Sequence, residues 1–322
     1  MNDHIHSRNK IIILAATICV IALLHYLTPT EPHYYHKIHI ILRKLYFLPP
    51  VMAAAWFGLR GACLTALVVS LLFTVHAFLD WPGNYMEQAN QVGELAGFWV
   101  AAIVPGWLFD RQRSLLGALA NANEETLLGL VSALDLREHN TRLHSQRVRE
   151  YTELLAVRYG IDEKMLREIG FGALLHDVGK IAVPDRILLK PDKLTDDEWQ
   201  EMRKHPEAGY RIVKRIGFLK DAAEIVYAHH ERYDGKGYPR GLKGDEIPLG
   251  ARLFAVADVY DALTSQRPYK PPFSYEEASA EIQKHKGSQF DPVIVEIFLS
   301  VAPEELEAIA NRYRDVTQGD SQ

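Results

Sequence analysis

Four long apolar stretches in the first 110 residues constrain this chain more than any other feature. They are residues 11–27 (IIILAATICVIALLHYL), 46–59 (YFLPPVMAAAWFGL), 61–79 (GACLTALVVSLLFTVHAFL) and 95–109 (LAGFWVAAIVPGWLF). A helix that crosses the ~30 Å hydrocarbon layer needs about 20 residues, with ~17 as the practical minimum. The first and third stretches meet that length, and the second and fourth reach it with their flanks. Residues 1–110 are therefore expected to form a membrane region of about four transmembrane helices. The first stretch lacks a small-residue cleavage site and more apolar stretches follow it, so it does not read as a signal peptide.

Positive charge gives the expected orientation. Arg8 and Lys10 precede the first stretch, Arg60 sits in the tight second turn, and Arg111 and Arg113 follow the fourth. The third connection, DWPGNYMEQANQVGE, has no Lys or Arg and is expected outside. Lys37, Arg43 and Lys44 in the first loop run against this pattern. The expectation is a multi-pass protein of an inner (cytoplasmic) membrane with both termini in the cytoplasm. The first loop also carries His33, His36 and His39 at three-residue spacing. These read as part of an interfacial loop at headgroup level, with a metal- or haem-sensing role as the alternative, and His25 and His76, at the ends of apolar runs, read as interfacial or helix-packing residues rather than ligands.

Residues 1–110 hold six Lys/Arg and six Asp/Glu, so the net charge of −5 belongs to residues 111–322. A mildly acidic soluble half argues against a DNA or RNA polymer as partner. Cys19 and Cys63 are the only cysteines, too few for a disulfide framework or a cysteine zinc site. Residues 111–133 are rich in Leu and Ala without proline and are expected to form a helical linker. Residues 134–322 show helix signals and no useful strand alternation. Positions 144, 148, 151 and 155 share one face and Gly160 supplies a stop. Asp162 is placed to cap a helix running to His176. Thr195 with Glu198, and Ser274 with Glu277, form capping boxes. Pro206 and Pro292 suit first-turn positions. The fold class is thus all-α, with a Gly/Pro-rich exception at 234–250.

Within this half several ionisable residues sit in apolar helix. His144 shares a face with Val148, Tyr151 and Leu155. His176 and Asp177 close an apolar run, His229 and His230 end AAEIVYA, and Asp258 lies inside LFAVADVYDAL. Buried ionisable groups are costly unless they pair, hydrogen-bond or bind a metal. Neutral imidazole with carboxylate suits first-row divalent metals. A carboxylate has two oxygens, so the His176–Asp177 pair suits the middle of a dinuclear centre. Such a centre is a general device for phosphoester hydrolysis. Lys180 is placed to neutralise a phosphate oxygen or assist a leaving group, or else to favour a helix C-terminus.

The ordered motifs HDVGKIAVPD (176–185), KHPEAGYRI (204–212), HHERYDGKGYP (229–239), IPLGARLFAVADVYDALTSQRPYK (247–270) and GSQFDP (287–292) resemble the HD-GYP family of bacterial HD phosphohydrolases. The resemblance covers roughly residues 125–300. It implies an all-helical metallohydrolase domain that hydrolyses cyclic di-GMP to the linear dinucleotide pGpG or to GMP. It also implies two divalent ions, iron or manganese, on His176, Asp177, His205, His229, His230 and Asp258, with Asp177 as bridge and His144 as a further ligand. By the same resemblance Asp177 and Lys180 are catalytic, Gly237, Tyr238 and Pro239 lie near the nucleotide, and Arg267 and Lys270 bind substrate phosphates. A homodimer fits the family habit. Some members hold a third metal with a glutamate at the position of Asn140; asparagine there predicts a dinuclear site. The alternatives are a signalling module without turnover and a hydrolase of another cyclic dinucleotide.

Overall fold

The computed structural model describes residues 2–29, 36–80, 85–138, 143–266 and 271–319. The chain divides into two compact units, Met1–Glu124 and Glu125–Gln322. Among the described residues both are helical, and the only β-type pairing is an isolated bridge between Lys286 and Phe290.

The first unit contains α1 (Asn2–Leu27), α2 (His36–Leu45), α3 (Leu48–Asp80) and the first part of α4 (Tyr85–Glu138). Three segments are long and apolar enough to cross a membrane: Ser7–Leu27, Lys37–His76 and Asn90–Arg137. The second and third apolar stretches of the sequence therefore share one assigned element. They are parted at Gly58, whose φ of 70° is left-handed. The Ala53 carbonyl oxygen lies 3.5 Å from where a Cβ on Gly61 would stand. Eight residues of continuous helix would separate those positions by about 12 Å, so the chain folds back at Gly58. A Cβ on Gly58 would also collide with the Asp110 carboxylate, 1.9 Å away. That carboxylate accepts from the Leu59 N–H at 2.9 Å, an amide freed by the break. Small residues line the inside here: Ala54, Ala62, Ala66 and Ala102 form one buried cluster.

Two expectations about the histidines change. His39 lies in α2, not in a loop, and it is fully buried with His25 and His76. His33 and the side chain of His36 fall outside the described residues.

The second unit holds the end of α4, then α5 (His144–Tyr159), α6 (Glu163–Leu174), α7 (Asp185–Leu188), α8 (Asp196–Met202), α9 (His205–Val213), α10 (Ala222–Ala228), α11 (Leu249–Thr264), α12 (Tyr275–Lys284), α13 (Pro292–Leu299) and α14 (Pro303–Gly319). The local signals act as the sequence reads. Gly160 ends α5 in a left-handed conformation, and Asp162 accepts from Met165 N–H. Both capping boxes form, and Pro206 and Pro292 sit in first turns. The helix expected to run to His176 stops at Leu174, and a 3-10 turn over Val178–Ala182 follows. Lys180 therefore belongs to that turn, not to the end of α6. The core packs α5, α6, α10, α11 and α13 through Val148, Leu155, Ile169, Ile225, Phe254 and Phe298.

Candidate metal centre

Adjacent residues on an α-helix point about 100° apart, so neighbours cannot both face one centre from its middle. The chain meets this limit by placing ligand candidates at helix ends. His144 and His205 open α5 and α9, His176 and Asp177 follow α6, and His229 and His230 follow α10. Asp258 alone lies within a helix.

These side chains converge in two groups: Asp177, His205, His229 and His230, and His144, His176 and Asp258. In each group the donor atoms lie within 4.8 Å of one another. Asp177 joins them. Its Oδ2 is 3.0 Å from His176 Nε2, and its Oδ1 is 3.4 Å from His205 Nε2 and 3.8 Å from His229 Nε2. His144 Nε2 is 3.4 Å from Asp258 Oδ1, which places His144 among the candidates.

Backbone carbonyls set the rings. The Nδ1–H groups of His176, His205 and His229 donate to Ala173 O, Met202 O and Val226 O at 2.8, 2.8 and 2.7 Å. A carbonyl can only accept, so each Nδ1 carries the hydrogen and a neutral ring turns an Nε2 lone pair inward. His205 and His229 Nε2 are 3.2 Å apart, with Asp177 Oδ1 beside both. Lone pairs and a carboxylate oxygen facing each other repel unless a cation lies among them. The donor chemistry therefore fits a divalent metal.

The electrostatics agree for His205, His229 and His230, whereas on His144 and His176 the neighbouring carboxylates favour a proton in the place a cation would take. Burial lowers His205 and His229, the latter well below its ordinary value, and the neighbouring His230 depresses His229 further. Burial, with His205 next, brings His230 down to about 4. Those three rings are neutral near pH 7, as ligands must be. Burial also works against a proton on His144, but Asp258 and Asp261 outweigh it and raise the ring to about 10. Burial opposes ionisation of Asp177, yet His176 and Lys180 hold its carboxyl well below the usual range. The imidazoles of His176, His205 and His229 form a buried floor, whereas the Asp177 and Asp258 side chains keep 18% and 32% of their exposure. The centre thus opens to solvent at its carboxylates. Lys180 Nζ stands at that mouth, 2.8 Å from Asp177 Oδ2.

The Gly237-Tyr238-Pro239 segment packs against the same residues. Tyr238 N–H donates to His230 O at 3.2 Å, and the two rings stack at 4.7 Å. Arg203 lies over the Tyr238 ring, 5.2 Å from its centroid. A Cβ on Gly237 would stand 2.4–2.6 Å from the backbone of residues 230–232, so only glycine fits. Arg267 and Lys270 lie outside the described residues, as does Asn140.

Sequence reasoning missed several supporting groups. Asp261, nearly fully buried, accepts from His144 Nδ1 at 2.7 Å and from Arg147 Nε at 2.7 Å. Glu231, also buried, accepts from the N–H groups of Arg240 and Leu242 and closes the loop around Tyr238. Arg137 clamps the turn after Asp177 through Lys180 O, Val183 O and the Asp185 carboxylate. Asp261 stands one turn beyond Asp258, and Arg147 one turn beyond His144. That spacing was the only sequence signal they gave.

Comparison with known proteins gives one family match and several relatives. Residues 130–294 match the family model described as HD domain. The chain is 42% identical over 207 residues to the cyclic di-GMP phosphodiesterase response regulator RpfG of Xanthomonas campestris, covering 63% of this chain and 54% of that protein. It is 44% identical over 183 residues to a cyclic di-GMP phosphodiesterase of Thermotoga maritima, covering 56% and 50%. It is 43% identical over 188 residues to 3'3'-cGAMP-specific phosphodiesterase 2 of Vibrio cholerae, covering 58% and 36%. The chain spans about half the length, or less, of these relatives.

Proposed function

Since this chain belongs to the HD domain family, we propose that it is a membrane-tethered, metal-dependent phosphodiesterase of the HD-GYP branch that opens cyclic di-GMP. The observation that carries this reading is the all-acceptor array around Asp177. His205 and His229 turn lone pairs toward one another and toward the same carboxylate oxygen. His205, His229 and His230 would hold one ion, His144, His176 and Asp258 a second, with Asp177 reaching both. When bound, such ions lower the pKa of water and offset charge on a phosphodiester.

The residues do the rest. The carbonyl-anchored rings keep the ligands oriented before substrate arrives. Lys180 presents an ammonium beside Asp177, where charge develops on the phosphate oxygens. Tyr238, stacked on His230, sets a ring face next to the centre for the nucleotide. Arg267 and Lys270 are assigned to the phosphates, for which an arginine fork offers paired donors. Water adds at phosphorus and one P–O ester bond breaks, giving the linear dinucleotide; a second hydrolysis gives GMP.

Membrane attachment rests on the outward faces of the first unit. Ile12, Leu23, Leu64, Leu71, Val100 and Trp107 are exposed there while alanines fill the inside. With cytoplasmic termini, the catalytic unit lies on the cytoplasmic side of an inner membrane. Lys44, one of the cations at odds with that orientation, pairs with Glu94.

The test is turnover by the full chain in detergent, loaded with manganese or iron under reducing conditions, with Asp177→Ala as control. Conversion of cyclic di-GMP to pGpG or GMP that disappears in the control is expected. Metal-loaded protein that binds cyclic di-GMP and yields no product would sink the proposal. A second reading, hydrolysis of 3'3'-cGAMP, is favoured by the 43% identity to the Vibrio cholerae enzyme. Parallel assays of both dinucleotides separate the two.

A further inference from the structure

The first unit contains a second convergence of histidines, unrelated to the centre above. His25 comes from α1, His39 from α2 and His76 from α3. The rings of His25 and His76 stack at 3.8 Å, and His39 lies 5.2 Å from His25 and 5.6 Å from His76. One ring nitrogen from each can be chosen so that all three lie within 4.8 Å of one another. None of the three residues exceeds 3% exposure.

Ionisable side chains inside a membrane-spanning region are expensive and need a partner. Two of the rings take their orientation from backbone. His39 Nε2 donates to Thr28 O at 2.9 Å, and His76 Nε2 donates to His25 O at 3.2 Å. Each carbonyl fixes a proton on Nε2 and so makes Nδ1 the lone-pair atom, the arrangement by which proteins orient metal-binding imidazoles. Among the described residues, His39 Nδ1 and both ring nitrogens of His25 have no hydrogen-bond partner. The Tyr46 hydroxyl, equally buried, has none either, and its ring packs 5.5 Å from His25. Phe73 lies nearly parallel to His25, with ring centroids 6.3 Å apart. Buried polar atoms left unpaired in such numbers demand an explanation.

We propose that His25, His39 and His76 form a binding site for a late first-row transition-metal ion of the zinc and copper class. Three imidazoles and no carboxylate suit those ions and disfavour magnesium, calcium and manganese, which prefer oxygen. The site therefore takes a different metal from the mixed His/Asp centre of the second unit. The Tyr46 side chain packs beside the site, its hydroxyl available as a fourth ligand or as a donor to a bound water. An ion here would tie α1, α2 and α3 together. Arg43, buried one turn beyond His39, is a reason to test a monovalent ion as well as a divalent one.

The full chain in detergent is dialysed against zinc, or against copper with ascorbate, and bound metal is counted by mass spectrometry. His25→Phe, which keeps a stacking ring, and His39→Asn are each expected to lose a full equivalent of metal relative to the native chain. Turnover of cyclic di-GMP and the metal of the second unit stay unchanged, so failure here is distinct from failure of the catalytic proposal. Equal metal counts in native and variant chains would overturn the site. Should the variants not fold, residue-resolved exchange of histidine C2 hydrogens in the native chain decides. Zinc is expected to slow exchange at His25, His39 and His76, and no change at these residues overturns the proposal.

Discussion

Asp261 touches neither proposed metal position, yet it sets the ring of His144. One carboxylate oxygen takes the His144 Nδ1–H at 2.7 Å, and both oxygens are held by Arg147. Groups that orient a metal-binding imidazole commonly matter about 10–100-fold in metal affinity. Asp261→Asn is therefore expected to weaken the metal position of His144, His176 and Asp258 by about that factor. Turnover should recover at high metal concentration, while KM for the nucleotide stays fixed. A metal titration of activity checks this, and an unchanged titration midpoint would remove Asp261 from the site. Five of the seven ligand candidates, His176, Asp177, His229, His230 and Asp258, were legible in the sequence because each interrupts or ends an apolar run, where an ionisable group has no cheap alternative; His144 was legible from its face with Val148, Tyr151 and Leu155, and His205, in EMRKHPEAGY, only through the family resemblance. Asp261, Glu231 and Arg147 were not. Their partners lie far along the chain or in backbone groups of a loop, and an acidic residue on a helix ordinarily faces water. His39 was read as interfacial, and His25 and His76 as interfacial or helix-packing, for a related reason: their neighbours in sequence say nothing about the two other helices that bury them.

At the scale of elements, the site depends on where helices stop. Six of the seven candidates lie at a helix terminus or in the turn just after one, and this allows the adjacent pairs His176–Asp177 and His229–His230 to converge. Capping residues at Asp162, Thr195 and Ser274 were readable because their hydrogen bonds are local. The stop at Leu174 was not readable from pattern alone, since the apolar run continues through Leu175 and no glycine or proline marks the change. Close packing of the 231–242 loop on His230 is the corresponding feature of the Gly-Tyr-Pro segment. Gly237→Ala would drive a Cβ into the backbone of residues 230–232 and push Tyr238 and His230 away from the centre. A displacement of about 1 Å at reacting groups can cost roughly 100-fold. The expected result is a kcat lower by about that factor, with the helical circular dichroism signal retained. Gly217→Ala is the control, because its Cβ would meet nothing within 4 Å. Equal kcat values for the two variants would mean that the loop does not hold His230 in place.

Across the whole molecule the two units follow opposite solvation rules. The first turns leucines, valines and isoleucines outward and packs alanines and histidines inside. The second buries a core of large apolar side chains and leaves Asp177, Asp258 and Lys180 partly exposed. Hydropathy made the long apolar helices of the first unit visible, but the Asp110 carboxylate that meets the chain reversal at Gly58 lies 52 residues away. In the second unit the proposed metal would be coupled to folding. Ligands drawn from α5, α9, α11 and the turns after α6 and α10 are brought to one centre, so an ion that binds only the folded state stabilises all of those contacts together. Free metal at a thousand times Kd contributes about 4 kcal/mol. For a unit of this size, each kcal/mol moves the melting temperature by about 2–4 °C. Chelation of the full chain is therefore expected to lower the second unit's calorimetric transition by roughly 8–16 °C. The Asp177→Ala chain, missing the carboxylate that joins the two groups, should begin near the lower temperature and respond little to chelator. If calorimetry instead shows the native chain indifferent to chelation after confirmed metal loading, the converged side chains are held by packing alone, and the metal has no part in maintaining their arrangement.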